Sequence, residues 1–240
     1  MNLVLFESPE LTAPLPRTDP RAKHILEVLR RQAGDSFDAG VVDGPLGKAA
    51  LVSVTESALS FAFTPTHLPP APAPITLIIG LPRPQTARDI LRDATTLGVA
   101  RLHFVATERT DPNYAASTLW TSGEWRRHCL AGAAQAFDTR LPEVTWTQTL
   151  ASALVALPES PASRLALDNY EATAALGAET SNAKPQRPTA TVLALGPERG
   201  WGSSDRDALR TAGFTLAHLG SRVLRVETAV VAALAIILNR

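Results

Sequence analysis

The sequence of 240 residues contains a single cysteine, Cys129, and has no excess of charge of either sign. One cysteine excludes an internal disulfide and a cysteine-rich metal site. Basic and acidic residues number 23 each, so no overall electric field would attract nucleic acid to the chain. A local basic patch is nevertheless sufficient for contact with phosphate groups. Binding to RNA therefore stays open.

Long apolar runs and targeting signals are also missing. The most apolar stretch, Ala229–Leu238, is too short to span a membrane. The N-terminal residues MNLVLFESPELTAPLPR have neither the basic start nor the apolar core of a signal peptide. The five histidines do not show the helical spacing of metal ligands. We therefore expect a cytoplasmic protein with no membrane partner and no bound metal.

The pattern of apolar residues divides the chain into two regions. Residues 1–63 are predicted to form a small β-barrel of short strands, interrupted by one helix over Arg21–Arg31. A proline-rich stretch, Thr64–Pro74, is typical of an extended linker. Over residues 75–240 strands and helices alternate, which predicts an α/β domain with a mostly parallel sheet. The strands predicted first are Leu3–Phe6, Ser36–Val42, Lys48–Thr55, Ser60–Phe63 and Ile75–Ile79.

The most informative stretch is Ala190–Arg240, in which two predicted strands each end in a glycine-containing loop. Thr191–Leu195 continues into GPERG at 196–200, and Thr215–Leu219 continues into GSR at 220–222 before a closing apolar helix. In open α/β sheets, ligands bind beyond the carboxyl ends of the strands. Two such loops side by side therefore predict a ligand site.

Charged residues collect in these two loops. They are Glu198, Arg199, Arg222, Arg225 and Glu227. Because charge is costly to bury without a partner, the group favours ligand binding. The alternative is structural, with an ion pair between Arg225 and Glu227 that braces the loops.

Other motifs favour structural roles. The segment GPLGKAA at 44–50 lacks the spacing and the hydroxyl residue of a phosphate-binding loop, and it predicts a hairpin turn. Cys129 and His128 are neighbours on the helix predicted over Trp120–Phe137 and do not face each other, so Cys129 is predicted to fill the core. Trp120 and Trp125 favour the anchoring of a helix, with the stacking of bases as the alternative.

The C-terminal residues closely resemble the signature of the RsmE family, SPOUT-class methyltransferases that methylate N3 of a uridine in 16S ribosomal RNA. The resemblance rests on LGPExG at 195–200 and on the long segment LGxRVLRxETA at 219–229. HILEVLR at 24–30, followed by GD at 34–35, is similar to the N-terminal PUA-like domain of that family. Weaker similarity covers the rest of the chain.

The resemblance implies a PUA-like β-barrel over 1–68 and a SPOUT methyltransferase domain over 75–240 whose C-terminus forms a deep trefoil knot. It implies S-adenosylmethionine as the cofactor, ribosomal RNA of the small subunit as the partner, and a homodimer that completes the site. The positions that correspond to cofactor-binding residues are Leu195, Gly196, Pro197, Gly200, Leu219, Gly220, Arg222, Leu224 and Thr228.

On this interpretation the charged residues have distinct roles. Arg225 is predicted to stabilise negative charge on the base, and Glu198 to orient a partner or to assist removal of a proton. Arg222 is predicted to shape the loop or to meet phosphate. The residues predicted to bind RNA are Lys23, Arg30, Arg83 and Arg222.

The chain departs from the family at several positions. Arg199 stands where a glycine is usual, and a glycine there can adopt positive φ or allow close approach of a ligand, which arginine resists. Arg83 replaces a lysine, Thr96 a glutamate, and Asp138 a basic residue. Two alternatives therefore stay open. One is an RNA-binding or ribosome-assembly protein without turnover, and the other is a methyltransferase with a different RNA target.

Overall fold

The computed structural model describes residues 3–157, 163–179 and 190–239. The chain divides into two compact units, the first made of 1–71 with 133–141 and the second of 72–132 with 142–240. The first division falls at the proline-rich stretch. The grouping of 133–141 with the first unit has no counterpart in the local apolar pattern, because it depends on contacts far apart in sequence.

The first unit contains a mixed five-stranded sheet. Its strands are β1 (Val4–Phe6), β2 (Leu15–Pro16), β3 (Ser36–Val41), β4 (Leu46–Val54) and β5 (Ala58–His67). They are arranged in the order β1-β3-β4-β5-β2, with β1 parallel to β3 and the other pairs antiparallel. Alternate residues of these strands point inward and pack around Phe6, Phe37 and Leu59, which are almost fully buried.

The helix predicted over Arg21–Arg31 is shorter and irregular. Helix α1 (Pro20–Lys23) begins after Asp19, whose carboxylate accepts a hydrogen bond from the Arg21 N–H at 2.8 Å, as expected for a capping residue. A π-helical turn, His24–Val28, follows. The helix is over before Arg30, which has a φ of +54°. The predicted start therefore agrees with the structure to within one residue, whereas the predicted C-terminal end and the regularity of the helix were wrong.

The second unit contains a seven-stranded sheet in which all the neighbouring strands are parallel. Its strands are β6 (Ala73–Gly80), β7 (Val99–Ala106), β8 (Glu143–Thr149), β9 (Ser163–Leu167), β10 (Ala174–Ala175), β11 (Thr191–Leu195) and β12 (Thr215–His218). The helices that follow β6 in the chain are α2 (Pro84–Thr96), α3 (Thr118–Thr121), α4 (Glu124–Ala136), α5 (Leu150–Val155), α6 (Leu176–Glu179), α7 (Ser203–Thr211) and α8 (Val226–Leu238). The predicted α/β class with a parallel sheet is confirmed.

Two predictions about connections were wrong. The stretch Thr64–Pro74 is not a linker throughout, because β5 continues to His67 and β6 begins at Ala73. A single helix predicted over Trp120–Phe137 is divided into α3 and α4 at Gly123, whose φ of +76° is incompatible with a continuous helix.

The strand order places β11 at the centre of the sheet. The order is β10-β12-β9-β11-β6-β7-β8, so the chain first moves from β6 through β7 to β8 and later returns to the other side of β6. All five residues of β11 are buried, which explains its unbroken apolar sequence. Ligands of open α/β sheets bind where the strand order reverses, and the carboxyl end of β11 is such a place.

Within the described part of the chain, no helix has both the length and the apolar character needed to cross a membrane.

Candidate active site

A cavity of about 630 Å³ lies at the carboxyl ends of β9, β11 and β12. Small-molecule sites in proteins typically enclose about 300–1,000 Å³, so the volume suits a ligand of that class. The lining residues include 167–170 after β9, 195–201 after β11 and 223–227 before and at the start of α8, together with Arg83, Thr86, Leu219 and Ala229. The two loops chosen from the sequence therefore do meet at one cavity.

The structure brings most of the predicted cofactor residues to this cavity. Those that line it are Leu195, Gly196, Pro197, Gly200, Leu219 and Leu224. Gly220, Arg222 and Thr228 are exposed residues of the same segment and do not belong to the described lining. The segment after β12 therefore contributes to the cavity with only some of its residues.

The GPERG loop at 196–200 turns tightly and without strain at its arginine. The Gly200 N–H donates to the Pro197 carbonyl at 2.7 Å, and Gly200 has a φ of +69°. A Cβ on Gly196 would lie 3.0 Å from the Trp201 nitrogen. Arg199 is not among the described residues with positive φ. The requirement for a glycine thus falls on positions 196 and 200, and Arg199 is compatible with the loop.

Neighbouring segments hold this loop in place. The Glu198 carboxylate accepts a hydrogen bond from the Arg83 backbone N–H at 3.0 Å. The Arg109 guanidinium donates from Nη1 to the Arg199 carbonyl at 2.9 Å. The loop after β11 is therefore tied both to the start of α2 and to the loop after β7.

Three residues that the sequence did not single out form a buried brace behind the cavity, namely Asp168, Trp201 and Arg206. Asp168 is 5% exposed and Arg206 is 6% exposed, and Arg206 Nε donates to Asp168 Oδ2 at 2.6 Å. The other carboxylate oxygen accepts from the Tyr170 N–H at 2.6 Å. The Trp201 indole N–H donates to the Leu167 carbonyl at 2.9 Å. This brace fixes the loop after β9 to α7, because a buried ion pair that is fully hydrogen-bonded is costly to separate.

A second connection fixes the start of α7. The Glu108 carboxylate accepts from the Ser204 hydroxyl at 2.6 Å and from the Ser204 N–H at 3.2 Å. These bonds lower the pKa of Glu108 from its usual value, the hydroxyl bond most of all. The Asp205 carboxylate in turn accepts from the N–H groups of Gly202 and Glu108. The helix that carries Arg206 therefore has a fixed N-terminus.

Exposed arginines surround the opening, and we call Arg83, Arg199 and Arg225 the arginine rim. All three line the cavity and are exposed. Among the described residues, none of their side chains has an acidic partner, and no ion pair joins Arg225 to Glu227. The bracing pair considered as the alternative for Arg225 is thus not formed. The rim presents positive charge that an anionic ligand can neutralise.

The remaining candidates lie elsewhere. Lys23 and Arg30, predicted to bind RNA, are exposed residues of the first unit. Cys129 is fully buried, and burial raises the pKa of its thiol to about 11, so it is not a nucleophile at neutral pH. Trp120 is 2% exposed and stacks on Trp146 with ring centroids 5.4 Å apart, in agreement with an anchoring role.

Two departures from the family pattern serve local structure. The Thr96 hydroxyl lies 2.9 Å from the Arg92 carbonyl oxygen and 3.2 Å from the Gly132 carbonyl oxygen, so it can share its one proton between them. The Asp138 carboxylate accepts from the Arg140 N–H at 2.9 Å. Neither residue lines the cavity. Among residues 3–157, 163–179 and 190–239, no group of His, Cys, Asp and Glu is arranged to hold a metal ion.

Comparison with known proteins links the chain to RNA methyltransferases. Residues 69–238 match a family described as "RNA methyltransferase domain". The ribosomal RNA small subunit methyltransferase E of Treponema pallidum (strain Nichols) is 35% identical over 246 residues, covering 99% of this chain and 91% of that protein. A protein of the same name from Synechocystis sp. is 30% identical over 236 residues, covering 98% of this chain and 76% of the other.

Solved structures share the fold. A ribosomal RNA small subunit methyltransferase E from Neisseria gonorrhoeae, bound to S-adenosyl methionine, superposes with a TM-score of 0.76 at 24% identity, covering 99% of this chain and 97% of that chain. A probable rRNA-methyltransferase from Porphyromonas gingivalis has a TM-score of 0.77 at 20% identity, covering 99% and 98%. At these identities the likeness establishes the fold.

Proposed function

Because the chain belongs to the RNA methyltransferase family that includes the ribosomal RNA small subunit methyltransferase E proteins, we propose that it transfers a methyl group from S-adenosylmethionine to N3 of a uridine in 16S ribosomal RNA. One observation carries the proposal. The two C-terminal loops that resemble the RsmE signature line the same cavity, and exposed arginines surround its opening.

The cavity fits S-adenosylmethionine in size and in chemistry. Leu195, Leu219 and Leu224 offer an apolar surface for a purine, and the tight turn at Gly196 and Gly200 lets peptide groups approach a ligand closely. When it is bound, the cofactor supplies a methyl group on a positively charged sulfonium. The loops around the cavity are held by the hydrogen bonds of Glu198 and Arg109, so they would hold the cofactor and the base in a defined arrangement and lower the entropic cost of the transfer.

The chain's own residues must prepare the base, because N3 of uracil carries a proton and is a poor nucleophile until that proton leaves. Arg225 is proposed to stabilise the negative charge that the base acquires. Its place in the cavity lining and the absence of an acidic partner among the described residues support this role. Glu198 is engaged with the Arg83 N–H, so its geometry favours the orienting role over removal of the proton.

RNA contacts follow from the distribution of exposed charge. The residues proposed to contact phosphate groups are all exposed. They are Arg83 on the rim, Arg222 in the chain segment after β12, and Lys23 and Arg30 in the first unit. The target uridine must be unpaired or flipped out, because its N3 is hidden in a base pair.

The finer architecture is also a proposal. We infer a PUA-like barrel over 1–68 and a SPOUT domain over 75–240 with a trefoil knot at its C-terminus, active in the cytoplasm as a homodimer. The apolar helix α8 supports dimerisation, since Val231, Ile236 and Leu238 are 36–38% exposed, and exposed apolar side chains favour association. Sedimentation equilibrium should give twice the chain mass of 25.5 kDa, whereas a single-chain mass would contradict the homodimer.

Methylation of small subunits from a strain that lacks the family's enzyme tests the proposal. The purified protein and labelled S-adenosylmethionine should introduce 3-methyluridine at one site, identified by mass spectrometry of ribosomal RNA nucleosides. Binding of S-adenosylmethionine without any transfer would instead favour the assembly protein without turnover. Transfer to another nucleotide would favour the different RNA target.

A further inference from the structure

Tyr170 presents an aromatic ring to solvent at the cavity. The residue lines the cavity and yet is 76% exposed. Aromatic side chains normally stabilise a protein by burying their large apolar surface. Burial therefore accounts for little of the surface of this residue, and the exposed part of the ring is available to a ligand.

The backbone that carries this ring is nevertheless fixed. The Tyr170 N–H donates to Asp168 Oδ1 at 2.6 Å, and Asp168 is held by Arg206 within the buried brace. A residue whose backbone is already held by hydrogen bonds to buried groups loses little conformational entropy when a ligand binds. The ring is thus exposed without belonging to a loose loop.

One face of the ring is already occupied. The Arg206 guanidinium carbon lies over the ring, 5.6 Å from its centroid, within the range of about 6 Å for a cation–π contact. Gly200 borders the ring edge, since a Cβ there would lie 3.8 Å from Tyr170 Cε2. Because Arg206 lies over the ring while the residue is 76% exposed, the ring has the features of a stacking surface.

We propose that Tyr170 stacks on the base of the RNA nucleotide that enters the cavity, an inference that rests on the proposed function. Unpaired bases stack on exposed aromatic side chains of single-strand-binding proteins whatever their identity. Arg199 also lines the cavity and is exposed. Its positive charge can contact a backbone phosphate of the RNA strand that carries this nucleotide. The cofactor, by contrast, is assigned to the buried end of the cavity, where Leu195 and Trp201 are 1–2% exposed.

Two substitutions at Tyr170 and one control distinguish the effect of the aromatic ring from the effect of side-chain volume. Tyr170→Phe keeps the ring, Tyr170→Leu keeps apolar volume without it, and Tyr114→Leu makes the same change at the other tyrosine of the chain, which does not line the cavity. KM and kcat are measured with small ribosomal subunits that lack the modification, and the Kd of S-adenosylmethionine is measured by calorimetry.

The loss of stacking in Tyr170→Leu should lower kcat/KM for RNA about 5- to 100-fold, mainly through a higher KM. The Kd of S-adenosylmethionine and the midpoint of thermal unfolding should stay unchanged. Tyr170→Phe and Tyr114→Leu should behave like the wild type. Wild-type RNA kinetics in Tyr170→Leu would overturn the inference, and so would weaker cofactor binding in that variant, which would place the ring against the cofactor. A wild-type protein that methylates no RNA would instead defeat the proposed function itself, and this inference with it.

Discussion

Arg206 in the buried brace and Arg225 on the arginine rim place the same guanidinium group in opposite environments. Arg206 is 6% exposed and bonded to a carboxylate at 2.6 Å, whereas Arg225 is exposed and has no acidic partner among the described residues. A buried charge must be paired to be tolerated, so Arg206 is committed to structure. The positive charge of Arg225 is not neutralised by an acidic side chain of the described structure, so it is available to a ligand. Burial, rather than residue type, therefore separates the arginine that shapes the cavity from those that remain available to a ligand.

The largest effect is expected for Arg206→Met, which leaves the Asp168 carboxylate buried without its cation. Loss of one partner of a buried pair should lower the free energy of unfolding by about 3–5 kcal/mol, measured by chemical denaturation. The control is Arg210→Met, which removes an exposed arginine of α7 from its ion pairs with Glu171 and Asp207 and should change the free energy of unfolding far less, because exposed ion pairs contribute little to stability. An equal decrease in the free energy of unfolding in the two variants would contradict the distinction between the buried arginine of the brace and an exposed arginine.

Arg225→Ala should act on catalysis and leave stability unchanged. Removal of a group that stabilises charge in the transition state typically lowers kcat by about 10²–10³-fold. Because Arg225 is exposed and unpaired in the described structure, the free energy of unfolding and the Kd of S-adenosylmethionine should stay at wild-type values. Unchanged turnover would remove Arg225 from the mechanism.

Trp201→Phe, a substitution within the brace, should have an intermediate effect on the free energy of unfolding. The change removes the indole N–H that donates to the part-buried Leu167 carbonyl, and the loss of such a hydrogen bond lowers the free energy of unfolding by about 0.5–1.5 kcal/mol. Weaker binding of S-adenosylmethionine should accompany the loss, since Trp201 lines the cavity. Trp125→Phe, at a half-buried residue outside the lining, is the control, and a similar loss of cofactor affinity there would contradict the role assigned to Trp201.

The smallest effect is expected for Arg222→Ala, at an exposed residue three positions before Arg225 in the chain. If Arg222 meets one phosphate, the slope of log K for RNA against log salt should decrease by about 0.7–0.9, with turnover at saturating RNA unchanged. Titrations of RNA at several salt concentrations measure that slope. An unaltered slope would exclude Arg222 from phosphate contact.

Local patterns predicted the parts of the site that lie close together in the chain. The buried strand Thr191–Leu195 was predicted with the bounds that β11 has, because its unbroken apolar run reflects burial on both faces. The glycine turn at 196–200 was also predicted, as was the rim residue Arg225. The turn tolerates Arg199 because its positive φ falls on Gly200, which a residue-by-residue comparison with the family could not reveal.

The buried brace escaped prediction because its members have no shared local pattern. Asp168 and Arg206 are 38 positions apart, and Trp201 reaches back to Leu167 across 34 positions. An aspartate after an apolar run and an arginine within a polar helix are ordinary features of a sequence. Only the order of strands, which brings β9 beside β11, makes these residues neighbours.

The sequence by itself determined the α/β class, the position of the ligand loops and the family resemblance, because periodicity and turn residues act over a few positions. The tertiary structure alone decided which arginines are buried, which of the loop residues line the cavity, and that 133–141 groups with the first unit. The physical reason is the same in each case. Desolvation and pairing depend on which distant segments the fold brings into contact, and no window of the sequence contains both partners.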